Sequence, residues 1–340
     1  MRLRVGLIGL SKDWQNRYHP ALRMLQDRFE VRGVYCSVAR LADQVAQEFG
    51  CERFDGYRDM LQRDDIDAIM LLDGDWFGTL PIQAACEFGK AIYCGTEIDF
   101  EPSVASQLRQ QVEQSGVAFM AEFPRRFAPA TLRLKELIAT QLGRPRLLFC
   151  HRRLTCETSG NGQRTHRSLA DRSHRELMEL IDWCRFIVGH DPRAVQAVGH
   201  PSLTDSATPD YQVLSLDFST GSDPSQVALA QISCGAYIPH SWHEAIAFRP
   251  PAGVQVCCEK GLAFVDLPNS LIWFDEAGRH QESLDSELSV GQQLLTQFHR
   301  AVTSLLRKMG DLEDVYRSLH ALEKARDSMQ HGGRVSLYTQ

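Results

Sequence analysis

The chain has 340 residues, 43% hydrophobic and 24% charged, with a formal net charge of −6. That length suits two domains of about 100–200 residues each, and no apolar run approaches the roughly 18 residues a membrane span needs. The acidic balance argues against nucleic acid as a partner.

The opening MRLRVGLIGL has no small-residue cleavage site and reads as a first strand rather than a secretory signal. Ten cysteines are scattered without any C-x-x-C spacing, so neither metal nor a disulfide framework is expected. Free thiols in a reducing cytoplasm account for them.

The first third alternates strand and helix signals. Strands are predicted at 4–10, 31–36, 67–72, 91–94 and 117–121, and helices at 18–29, 38–49, 81–88 and 102–114. Such alternation predicts a Rossmann-type parallel sheet in a domain over residues 1–123.

Residues 124–340 read as an α+β domain with a large, mostly antiparallel open sheet. A strand at 146–153 and an amphipathic helix at 168–188 come first. Strands are then predicted at 195–199, 211–218, 227–234, 242–248, 254–257, 263–266 and 271–274, broken by Pro, Gly, Asp and Ser clusters. Helices over 287–309 and 312–329 close the domain. On the first helix, Leu177, Leu180, Cys184 and Ile187 share one face, the predicted buried side.

Eight arginines fall between Arg144 and Arg175, joined by His151, His166 and His174 and opposed only by Glu157 and Asp171. A basic block in an acidic chain suggests a local anion site. The alternative is a solvated segment whose arginines pair with acids elsewhere.

Several stretches share an order and spacing. VGLIGLS (5–11) and HPAL (19–22) form a strand, turn and helix. DIDAIML (65–71) and GKAIYC (89–94) are strand segments, EFPRRFAP (122–129) leaves the first domain, and IDWCRFIVG (181–189) ends a helix. Together they resemble the Gfo/Idh/MocA family of nicotinamide-dependent oxidoreductases across nearly the whole chain. The resemblance implies a dinucleotide site, a small-molecule substrate and a homo-oligomer, dimer or higher, formed through the open sheet.

Each family motif is altered here. Where the family reads roughly E-K-P, with the lysine moving a proton, this chain has Gly95, Thr96 and Glu97, and the resemblance leaves Gly95 as a further cofactor contact. In the dinucleotide turn, Gly9 fits the first glycine and Ser11 replaces the second, so Gly9, Ser11 and Lys12 are the implied cofactor contacts. The strand that would end in a ribose-binding acid is followed by Cys36, Ser37 and Arg40. With Ser37 and Arg40 there instead of a carboxylate, NADP is expected over NAD, which stays as the alternative. The T-P-N-x-x-H positions fall on Asp73, Gly74, Asp75 and Gly78, leaving Asp73 and Asp75 as ribose contacts. Trp76 and Phe77 would wall the nicotinamide pocket or simply pack locally.

The family's D-x-x-x-H-x-x-D helix becomes Arg175, Glu179 and Asp182. An i,i+4 pair between Arg175 and Glu179 competes with a catalytic role for Glu179. Candidates for the missing base are His174, His166, Glu179 and Glu97, with the histidines titrating closest to neutral pH. Arg152, Arg167, Arg172, Arg175 and Asp182 are the candidate substrate contacts. The resulting expectation is an NADP-dependent oxidoreductase acting on a small anionic molecule: a sugar derivative, an imine or a conjugated double bond. The alternative is a catalytically silent homologue serving as a nucleotide-binding sensor or subunit.

Overall fold

The computed structural model describes residues 1–10, 13–74, 77–95, 102–156, 167–200, 210–220, 227–239, 242, 244–247, 253–284, 288–304 and 310–338. These form two compact units, one of residues 1–124 with 287–316, the other of 125–286 with 317–340.

The first unit begins with β1 (Leu3–Ile8), which leads through a single π-helical turn (Trp14–Tyr18) into α1 (His19–Met24). Then come β2 (Phe29–Tyr35), α2 (Ala39–Phe49), β3 (Glu52–Arg53), α3 (Tyr57–Leu61), β4 (Ala68–Leu71), α4 (Leu80–Glu87), β5 (Ala91–Cys94), α5 (Pro102–Ser115) and β6 (Phe119–Ala121). The strands form one parallel sheet in the order β3-β2-β1-β4-β5-β6. β4 and β5 are buried along their whole length, as strands covered on both faces must be. Gly50, in the left-handed conformation, stops α2. The helix predicted over 18–29 is shorter, because the chain turns at Leu25 to enter β2.

The second unit opens with α6 (Pro129–Leu137), which the sequence reading passed over. Pro129 stands in its first turn, where the missing N–H costs nothing. β7 (Pro145–Cys156) and α7 (Arg167–Val188) follow, then β8 (Ala194–His200), β9 (Tyr211–Asp217) and β10 (Leu229–Pro239). The strand predicted at 242–248 is instead a short helix, α8 (Glu244–Ala247). A brief apolar run has no period that separates the two states. β11 (Val254–Cys258), β12 (Leu262–Asp266), β13 (Ser270–Asp275) and β14 (Gly278–Ser283) form a meander.

Next comes α9 (Val290–Thr303), capped by a reciprocal Ser289–Gln292 box. It packs in the first unit, with Phe298 on Tyr93 at 5.4 Å between ring centres. α10 (Gly310–His331) and β15 (Val335–Ser336) end the chain.

Among the described residues the second sheet has nine strands, β14-β13-β12-β11-β7-β10-β9-β8-β15. All neighbours are antiparallel except β7 and β10. Leu177, Leu180, Cys184 and Ile187 of α7 are buried, as their spacing predicts, against a sheet face that includes Cys150, Ala230 and Ile232. The other face leaves Leu147, Phe149 and Leu229 exposed. Among the described residues no helix is long and apolar enough to cross a membrane.

Candidate functional site

In a doubly wound sheet, ligands bind beyond the carboxyl ends of the strands, where the strand order reverses. Here that point lies between β1 and β4. Gly9 leaves β1 with φ +72°, and a Cβ there would sit 2.6 Å from Asp73 Cβ and 2.7 Å from the Asp73 carbonyl. Only glycine fits such a turn, because Asp73 already fills the space a side chain would need. Asp73, half-buried, stands behind the turn. Ser11, Lys12 and Asp75 lie outside the described residues.

At the end of β2, Ser37 and Arg40 are both exposed, and no carboxylate lies between Tyr35 and Arg40. Phe77 is 2% exposed and packs against Tyr35 and Tyr57 with ring centres about 6 Å apart, which is a local core contact. Trp76 lies outside the described residues.

The ends of β5 and β6 carry a polar cluster that the sequence did not announce. Glu122 follows β6, with its side chain 3% exposed. One carboxylate oxygen accepts from Arg17. The other accepts from the Tyr18 hydroxyl at 2.5 Å and the Tyr93 hydroxyl at 2.9 Å. Tyr18 also reaches the Gly95 carbonyl at 3.3 Å. Burial, reinforced by Glu122, pushes both phenols well above their ordinary range, so they remain donors. A Cβ on Gly95 would overlap the Tyr18 hydroxyl and lie 3.0 Å from Glu122 Oε2. Position 95 therefore has no room for a side chain. Thr96 and Glu97 lie outside the described residues.

The remaining candidates belong to the second unit. Glu179 accepts from Arg125 at 2.7 Å on one oxygen and from Arg175 at 3.1 Å on the other. Arg125 also holds Glu176 at 2.6 Å, and Arg152 approaches Glu176 at 3.2 Å. Burial would raise the Glu176 carboxyl, but Arg125 and Arg152 outweigh it and hold the group below its usual range. Asp182 is 1% exposed and accepts a fork from Arg126, with Arg185 3.5 Å away. His174 accepts from Arg326 at 2.7 Å on Nδ1. Arg167 and Arg172 are on the first turns of α7, but their side chains, like all of His166, lie outside the described residues. Arg152, Arg175, Glu179 and Asp182 are thus all engaged in ion pairs. Only the Arg175–Glu179 pair was legible, through its four-residue spacing. Arg125 is 54 residues from Glu179, and no local pattern links them.

Residues 3–123 match the model of an oxidoreductase family with an NAD-binding Rossmann fold, Gfo/Idh/MocA. The uncharacterized oxidoreductase YrbE of Bacillus subtilis is 29% identical over 174 residues, which is 48% of this chain and 49% of that protein. The NADP(+)-dependent D-xylose 1-dehydrogenase 2 of Haloferax volcanii is 30% identical over 108 residues, 30% of this chain and 32% of that protein. The matches thus span about half or less of these relatives. The fold similarity is complete. A levoglucosan dehydrogenase structure, in complex with NADH and levoglucosan, superposes with a TM-score of 0.82 at 16% identity, covering 100% of both chains. Residues 3–123, with their parallel sheet and glycine turn at the switch point, thus match the NAD-binding Rossmann domain of the Gfo/Idh/MocA oxidoreductase family.

Proposed function

We propose that the chain is a nicotinamide-dependent oxidoreductase that prefers NADP(H) and acts on a small hydroxylated or carbonyl-bearing molecule. The Gly9 turn carries this reading, because it ends β1 at the switch point of the sheet, where doubly wound folds hold a dinucleotide's pyrophosphate. The cofactor would supply or accept the hydride. Ser37 and Arg40 suit a 2′-phosphate, which a carboxylate at the end of β2 would repel. A sugar or sugar derivative agrees with the substrates named for the xylose and levoglucosan dehydrogenases.

The chain's own groups must move the proton. Glu179 has both oxygens engaged, so His174, His166 and Glu97 are the remaining candidates. Reduction of an imine or conjugated double bond would need none of them. An anionic substrate now rests on Arg167 and Arg172, since Arg152 and Arg175 already face Glu176 and Glu179. We place the protein in the cytoplasm as a homo-oligomer, its free cysteines supporting the first and the apolar open sheet face the second.

One observation favours the silent-homologue reading, namely that Glu179, at the family's histidine position, is locked between two arginines. Single-turnover oxidation of NADPH against aldoses, keto-sugars and cyclic imines separates the readings. Transfer to any of these supports the enzyme. Tight NADPH binding without transfer across the panel supports the silent homologue.

A further inference from the structure

We infer that Glu122 is a positioning residue for the cofactor turn, an inference that rests on the nucleotide reading above. Its buried carboxylate joins three elements separated in sequence. Arg17 and Tyr18 belong to the π-helical turn that follows the Gly9 loop, Tyr93 belongs to β5, and Glu122 directly follows β6. The Glu122 backbone N–H donates to the Cys94 carbonyl at 2.9 Å, so the carboxylate is fixed to the sheet and not to a loose loop.

Neither phenol in the cluster is a base. Both are held protonated, and both oxygens of Glu122 are taken up by donors. The cluster therefore positions groups and does not react. What it positions is the end of the π-helical turn that follows the Gly9 loop, and through that turn the loop that would receive a phosphate. A π-helical turn is an uncommon way to open α1, and such turns concentrate at functional sites. Here the turn places consecutive residues, Arg17 and Tyr18, on opposite oxygens of one carboxylate. Gly95 completes the arrangement, because any side chain there would displace the Tyr18 hydroxyl.

Glu122→Gln tests the inference, since it keeps the volume and a neutral acceptor but removes the charge facing Arg17. The expected result is a folded variant whose NADPH affinity falls about tenfold or more, as losing a charge-assisted link implies. Glu122→Asp should recover part of that loss. Arg17→Met should match it, and the Arg17→Met/Glu122→Gln double variant should lose no more than either single change, because both break one link. A merely structural carboxylate would lower the melting temperature and leave the affinity of the folded protein unchanged; that result overturns the inference. If Glu122→Gln does not fold, Tyr18→Phe carries the test, with weakened NADPH binding expected and unchanged binding contradicting it. Wild-type protein that binds no NADPH overturns the cofactor reading along with this one. Wild-type binding that is matched by the folded variants overturns this one alone.

Discussion

Two residues show how local chemistry sets the site. Gly95 follows β5, and the space for a side chain there is filled by Tyr18 and Glu122. Gly95→Ala should therefore cost about 1–3 kcal/mol by overpacking. Adding Tyr18→Phe removes the overlapping oxygen and should restore part of the loss, as read by urea denaturation. Additive losses would show that the hydroxyl is not the obstacle. The second residue is Glu176. Its carboxyl is held below the usual range in the folded chain, so it stabilises the fold above its unfolded value of about 4.3 and loses that contribution as pH falls through the lower folded value. Glu176→Gln should flatten the acid limb of the stability curve below about pH 4.3. A variant as acid-sensitive as the wild type would contradict the pairing with Arg125 and Arg152. Gly9 was legible from sequence because a strand running into glycine demands a special turn. Gly95 was legible only as a missing glutamate, because its neighbours lie 77 and 27 residues away.

At the scale of elements, the parallel strands were read with nearly correct bounds, since fully buried strands are apolar throughout. The failures were of two kinds. Very short strands such as β3 and β15 carry too few residues to show a period. The segment that became α8 carries a pattern both states share. Helix α9 is the element whose placement sequence could not supply. Its amphipathic spacing shows that it has a buried face but not which unit covers it. It returns to the first unit, where Phe298 is fully buried on Tyr93 and Gly291 lies against the Arg17 carbonyl. Phe298→Ala should destabilise by about 3–5 kcal/mol. Because Tyr93 also holds Glu122, NADPH binding should weaken in the same variant. A stability loss below about 1 kcal/mol would mean α9 is not part of that core.

At the scale of the whole molecule, a parallel sheet and a mostly antiparallel one follow each other in the order the sequence predicts. The segments that resemble the family were legible in order and spacing, and those of the first domain fall within the residues that match its model. The basic block was legible only in part: Arg175 pairs with Glu179 at the spacing the sequence shows, but Arg152 pairs with Glu176 of α7, which a linear reading cannot connect. The open face of the second sheet bears the oligomer proposal. Leu147 and Leu229 are register partners on β7 and β10, with Phe149 two residues along. Phe149→Asp should convert the assembly to monomers in light scattering. An unchanged mass would place the interface elsewhere. The central claim is nucleotide binding at the Gly9 turn with preference for the 2′-phosphate, and calorimetric titration with NADPH and NADH tests it most directly. The expected result is tighter binding of NADPH by about tenfold or more, reduced toward the NADH value by Arg40→Ala. Equal affinities, tighter NADH binding, or no binding of either would contradict it.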